Sequence, residues 1–241
     1  MPRFFADINN VGEDSLVIDG GDAVHIGRSL RMRLGDEITV CCQGMEYQCE
    51  ILRISDESVE CKIITKYKGN TEPNIDLTLF QALPKSDKMD FIVQKAVELG
   101  ANKIVPVLTE RCVSRPNAKS FEKKLERFNK IALEAAKQCG RCIVPEVCSM
   151  VDFDKAVEML LQTDCPLICY EKGGKNLSQA GLSQGISVGV FIGSEGGFEP
   201  SEAEKCIDNG ITPIGLGSRI LRCETAPVAA ISIIMNLTGN M

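Results

Sequence analysis

The chain has 241 residues, 44% hydrophobic and 25% charged, with a mean hydropathy of zero, a balance that fits one large or two small globular domains and excludes a disordered chain. No apolar run approaches the ~20 residues of a membrane span, and the opening Met1-Pro2-Arg3-Phe4-Phe5 lacks the apolar stretch of a signal peptide, so a cytoplasmic location is expected. A net charge of −6 argues against a surface that attracts polyanions everywhere, so local excesses of basic residues carry more meaning than the total.

Residues 1 to about 70 read as short strands. Strand patterns fall at 15–18, 37–41, 46–54 and 58–65, where β-branched residues mix with polar ones. Gly20-Gly21-Asp22, Gly35-Asp36 and Gln43-Gly44 supply turn chemistry between them, and the spacing predicts a small β-barrel. His25, Arg28, Arg31 and Arg33 cluster here with no acid among them. The run Lys68-Gly-Asn-Thr-Glu-Pro73 reads as a linker, so domains are expected at 1–70 and 74–241.

Beyond the linker the period alternates between strand and helix. A strand at 75–83 stops at Pro84, and Asp87 can cap a helix whose Met89, Ile92, Val93, Ala96 and Val97 follow i, i+3, i+4 spacing until Gly100 ends it. Then come a strand at 103–108, a long basic helix at 121–138, a shorter helix at 153–161 and buried strands at 166–170 and 187–192. A helix at 199–209, a short strand at 212–216 and an apolar helix from about 226 to 237 complete the chain. This alternation predicts an α/β domain built on a mainly parallel sheet covered on both faces. From Lys85 to Arg141 there are 13 Lys and Arg against 7 Asp and Glu, either a solvated helix face or a footprint for phosphates. The 12 cysteines are scattered through apolar segments, and Cys139-Gly-Arg-Cys142 has no matching second pair. With His25 the single histidine, reduced, buried thiols are expected and no metal site.

Two glycine-rich loops follow predicted strands: Ile192-Gly193-Ser194-Glu195-Gly196-Gly197-Phe198, and Leu216-Gly217-Ser218-Arg219-Ile220-Leu221-Arg222-Cys223-Glu224-Thr225-Ala226. Open α/β sheets bind ligands at such strand ends, where glycine exposes backbone N–H and C=O groups. The carboxylate of Glu195 suits a ribose hydroxyl or a cation rather than a phosphate. Rossmann and Walker spacings are absent, and a tight strand-to-helix turn fits the first loop equally well. Glu224 and Thr225 likewise fit either a helix cap or a reactive site.

Together these loops resemble the knotted SPOUT class of methyltransferases. Within it the chain resembles the ribosomal RNA small subunit methyltransferase E family, which methylates uridine N3 in 16S rRNA. The likeness runs nearly end to end. Pro2-Arg3-Phe4-Phe5 is similar to the family's opening, and His25-Ile-Gly-Arg-Ser-Leu-Arg31 to its His-x-x-x-Val-Leu-Arg segment, with Ser29 in place of valine. Lys88-Met-Asp-x-x-x-Gln-Lys95-Ala-x-Glu98-Leu-Gly100, Glu110-Arg111-Cys-Val and Glu134-Ala-Ala-Lys-Gln138-Cys-Gly-Arg141 also match. The family's cofactor loop reads Gly-Pro-Glu-Gly-Gly; here Ser194 replaces the proline.

The resemblance implies a PUA-like β-barrel that binds RNA, a SPOUT domain with a C-terminal trefoil knot, S-adenosyl-L-methionine bound in the knot, and a homodimer. Its implied partner is 16S rRNA of the small ribosomal subunit, conventionally at position 1498. It places Tyr170, Ile192, Gly193, Glu195, Gly196, Leu216, Gly217, Ile220 and Leu221 at the cofactor, and makes Arg3, His25, Arg28, Arg31, Arg33 and Lys88 RNA contacts. Methylating uracil N3 needs in-line alignment and loss of the N3 proton, with no metal or protein nucleophile. Arg219 or Arg222 would stabilise charge on the uracil; Glu224 would accept the proton or only orient an arginine. The alternatives are a SPOUT ribose 2′-O-methyltransferase acting on another RNA, or a non-catalytic RNA-binding or ribosome-assembly module.

Overall fold

A computed structural model describes residues 1–241, which divide into two compact units: 1–72 with 136–144, and 73–135 with 145–241. The first unit contains β1 (Arg3–Phe5), β2 (Ser15–Asp19), α1 (Gly20–Val24), β3 (Glu37–Cys42), β4 (Met45–Ile54) and β5 (Ser58–Lys68). Its sheet runs β1-β3-β4-β5-β2, antiparallel except for the β1–β3 pair. Gln43 (φ 47°) and Gly44 (φ 79°) form the two-residue β3–β4 hairpin, which needs left-handed backbone at both positions. Register shifts at Gln48/Cys49 and Ile51/Arg53 bend the long β4–β5 ribbon. The curled sheet encloses a core that includes Phe4, Leu16, Ile18, Ile38, Val40, Ile51 and Val59. Its end strands β1 and β2 do not pair with each other, so the barrel is partly open.

Two features of this unit depart from expectation. Gly20-Gly21-Asp22, read as a turn, instead opens α1, which continues into one wide helical turn at His25–Ser29. Ala23 and Ile26, three residues apart and both fully buried, fasten that stretch to the sheet core. Residues 136–144, read as part of the second domain, belong here. Arg141 pairs with Glu72 at 2.6 Å, and the Cys142 thiol donates to buried Glu46 at 2.9 Å. The second oxygen of Glu46 accepts from Arg3 at 3.2 Å. Arg3 also donates to Cys41 Sγ at 2.8 Å and keeps only 17% of its side chain exposed. Arg3, expected at the RNA, stands with its guanidinium neutralising a buried carboxylate, which would otherwise be strongly destabilising.

The second unit contains β6 (Asp76–Ala82), α2 (Lys88–Glu98), β7 (Lys103–Leu108), most of α3 (Ala118–Cys139), β8 (Glu146–Val147), β9 (Val151–Asp152), α4 (Phe153–Leu160) and β10 (Cys165–Cys169). It continues through β11 (Lys175–Asn176), β12 (Ser187–Ile192), α5 (Pro200–Asp208), β13 (Thr212–Gly215) and α6 (Thr225–Leu237). The strands pair in parallel throughout, in the order β11-β13-β10-β12-β6-β7-β8, with β9 beside β7. Ile168, Phe191, Phe80 and Val105 are in register and pack with Val157 and Leu160 of α4 and Cys206 of α5. Phe198 closes edge-on against Phe191 at 4.8 Å. The alternate row, Leu167, Val190, Leu79 and Ile104, is fully buried too, while α6 packs on β12 and α2. The expected parallel sheet, covered on both faces, is therefore present. Nine of the 12 cysteines are buried, and burial raises thiols such as Cys49, Cys61 and Cys206 to about 12. They act as small core hydrophobes.

Candidate functional site

The carboxyl ends of β10, β12 and β13 open onto a cavity of about 800 Å³ within the second unit. Tyr170 and Glu171 follow β10, residues 193–197 follow β12, residues 216–223 follow β13, and Lys88 reaches in from the first turn of α2. The volume lies in the range of small-molecule sites.

In the first loop, Gly197 N donates to Ser194 O at 3.0 Å and closes a tight turn. Ser194 is buried and its hydroxyl donates to Arg111 O at 3.3 Å, so a hydrogen bond replaces the restraint a proline would supply. Arg111 in turn donates to Gly196 O at 2.7 Å and grips Glu199 at 2.8 and 3.2 Å. A Cβ on Gly193 would stand 3.0 Å from Gly197 Cα, so any side chain there would press on the turn's backbone.

The second loop is held differently. Gly217 has φ +105° with open space around it, so conformation, not room, demands glycine there. Arg219 and Arg222 are exposed at the cavity and form no ion pair within the chain. Arg222 O accepts from Thr225 N and Ala226 N, starting α6. Glu224 occupies the N-cap position but its side chain makes no capping bond; it turns to Lys88. Lys88 Nζ lies 3.1 Å from Glu195, 3.1 Å from Glu224 and 3.6 Å from Cys223 Sγ.

This cluster sets the protonation states. Hydrogen bonds from Lys88 to Glu195 and Glu224 raise the ammonium's pKa. Burial opposes the charge on Glu195, but its own N–H, that of Lys85, and Lys88 outweigh it and lower the pKa. For Glu224 burial is likewise outweighed, by hydrogen bonds from Cys223, its own N–H and Lys88. Burial pushes the Cys223 thiol up to about 12. Both carboxylates are thus ionised and weakly basic.

The cavity brings together Tyr170, Ile192, Gly193, Glu195, Gly196, Leu216, Gly217, Arg219, Ile220, Leu221 and Arg222; Glu224 joins through Lys88. Lys88, expected at a phosphate, faces two carboxylates at the cavity because α2 begins beside both loops. Glu224 partners a lysine, not an arginine. His25, Arg28, Arg31 and Arg33 are exposed on the first unit, with Arg28 paired to Asp56 at 3.0 Å. Arg111 stands in the sequence within a matching segment, Glu110-Arg111-Cys-Val, but its role of gripping the first loop shows only in three dimensions. Glu171 and Gly173-Gly174 were passed over, although a charged residue and a glycine pair just after a strand were a signal.

Two profiles of known families match the chain. The RNA methyltransferase domain matches residues 71–235, and the RNA methyltransferase PUA domain matches residues 18–64. Ribosomal RNA small subunit methyltransferase E of Bacillus subtilis is 34% identical over 97% of this chain and 96% of its own. The chain belongs to the ribosomal RNA small subunit methyltransferase E family. Another member, from Mesomycoplasma hyopneumoniae, is 32% identical over 95% of this chain and 96% of its own. The crystal structure of the Neisseria gonorrhoeae member, bound to S-adenosyl methionine, is 30% identical, covers 99% of this chain and 98% of its own, and superposes with a TM-score of 0.86. In this family's terms, the parallel-sheet unit is the RNA methyltransferase domain and the curled five-stranded sheet the PUA domain.

Proposed function

We propose that this chain transfers a methyl group from S-adenosyl-L-methionine to N3 of a uracil in 16S rRNA, conventionally position 1498 of the small ribosomal subunit. The single observation that carries the reading is the cavity between two glycine-rich loops, with unpaired Arg219 and Arg222 at its edge. The named relatives support the RNA class. The residues fit the cofactor: the loops present backbone polar groups at strand ends, and Glu171 supplies negative charge for a cationic ligand. Bound there, the cofactor supplies an electrophilic methyl on a sulfonium. Tyr170, Ile192, Gly193, Gly196, Leu216, Gly217, Ile220 and Leu221 would hold it.

The remaining work falls to charge. Neutral uracil N3–H is a poor nucleophile, and cations near O2 or O4 stabilise its anion. Arg222 and Arg219, free of carboxylates, suit that role. Hydrogen bonds from Cys223, its own N–H and Lys88 make Glu224 a weak proton acceptor, so it belongs to positioning, and the N3 proton leaves to solvent water as the methyl departs from the sulfonium. On the first unit, Arg28, Arg31 and Arg33 with His25 would grip phosphates. A trefoil-knotted path and a homodimer complete the reading. The knot is supported by β13 lying between β10 and β11 before α6 returns to α2. The dimer is supported by Phe91, Ile233 and Leu237, exposed on that helix pair.

Small subunits lacking the methyl group, incubated with the protein and S-adenosyl-L-methionine, should yield N3-methyluridine by mass spectrometry of rRNA nucleosides. A ribose 2′-O-methyl product, or no product with bound cofactor, overturns the reading.

A further inference from the structure

Residues 216–224 carry the two free arginines, yet little holds them. Gly217, Ser218, Arg219 and Ile220 are exposed, Ile220 to 87%. The backbone bonds of this segment are those that start α6, from Thr225 and Ala226 to Arg222 O. The polar side-chain contacts that reach it from elsewhere come from one atom, Lys88 Nζ, to Glu224 and Cys223. The same nitrogen holds Glu195 in the opposite loop. Glu195 is itself fixed, since its Oε1 accepts from Lys85 N at 3.0 Å.

We propose that Lys88 is a positioning residue, a clasp that ties the 216–224 segment to the first loop and so places Arg222 over the cavity. The inference rests on the methyl-transfer reading above. Its physical basis is that one cation satisfies two carboxylates 3.1 Å away on either side. Without it, Glu195 and Glu224 would face each other uncompensated, and like charges would push the loops apart. Part of the cofactor's lining, Tyr170, Ile192, Gly193 and Gly196, lies outside the clasped segment, so loosening 216–224 weakens cofactor binding without abolishing it. Reaction geometry draws on the segment that the clasp holds.

The test compares Lys88→Met and Lys88→Arg with wild type by single-turnover methylation of small subunits, calorimetry with S-adenosyl-L-methionine, and hydrogen exchange of the folded proteins. Lys88→Met should lose about 10²-fold in single-turnover rate, the scale of a 1 Å misplacement, while the cofactor Kd rises less than about tenfold. Exchange in 216–224 should quicken with the core unchanged. Lys88→Arg, which can still span both carboxylates, should recover most of the lost rate. A Lys88→Met variant with wild-type rate and wild-type exchange overturns the clasp, as does Lys88→Arg no better than Lys88→Met. Should Lys88→Met not fold, exchange in Glu224→Ala, which removes the carboxylate by which Lys88 grips the segment, decides: an unchanged 216–224 segment refutes it. A wild-type protein that binds cofactor but transfers no methyl sinks the functional reading instead, and exchange alone still judges the clasp.

Discussion

Gly217 and Arg222 stand in one loop and serve it in opposite ways, one through its backbone and the other through its charge. At φ +105° a β-branched side chain is strained whatever room surrounds it, at a cost of about 1–3 kcal/mol. Gly217→Val should therefore move the loop and abolish cofactor binding by calorimetry, while circular dichroism still reports a folded sheet; unchanged affinity would remove Gly217 from the site. Arg222 has no partner to lose, so Arg222→Ala should leave the melting temperature and the cofactor Kd near wild type. If it stabilises charge on the uracil, single-turnover methylation should fall ~10²–10³-fold. A wild-type rate would pass the role to Arg219. The glycines and arginines were legible in sequence because each stands in a short, dense motif. Lys88 was not: its contact Cys223 lies 135 positions away, and a lone lysine at a helix start looks the same whether it meets phosphate or carboxylate.

At the scale of elements, long periodic stretches were readable and short ones were not. The apolar stripe of α2 and the buried runs of β12 and β10 state their structure in their spacing. β8, β9 and β11 have two residues each and exist only because a neighbouring strand offers a partner, so no period announces them. The stretch from Gly20 to Ser29 is instructive in another way. Two glycines argued for a turn, but burial of Ala23 and Ile26 overrides local propensity. The helical form leaves His25 and Arg28 exposed, followed by exposed Arg31 and Arg33. Arg28 already has Asp56 at 3.0 Å, whereas Arg31 and Arg33 have no ion pair. Arg31→Glu should thus weaken RNA binding across sequences and reduce the salt slope, log K against log [salt], by about 0.7–0.9 for the lost phosphate contact. An unaltered slope would exclude Arg31 from the footprint.

On the scale of the whole chain, the first unit is completed from a distance. The linker at 68–73 is a real change of composition, and it suggested a barrel that ends there. Residues 136–144 return to that unit instead, and no pattern within nine residues could announce it. Arg141 is 3% exposed and paired with Glu72. Cys142 is buried against Gly69 and Thr71 and donates to Glu46. A fragment of residues 1–72 consequently loses a buried arginine, a buried thiol and one donor to a carboxylate that is 5% exposed. Vacating core volume of this kind costs roughly 2–5 kcal/mol, a large share of a small domain's stability. The fragment 1–72 alone should unfold at a clearly lower urea midpoint than the same fragment carrying 136–144 on a flexible linker. The linked form should also restore a single cooperative transition. Equal midpoints would mean that the curled sheet is self-sufficient and that the returning segment is only laid upon it.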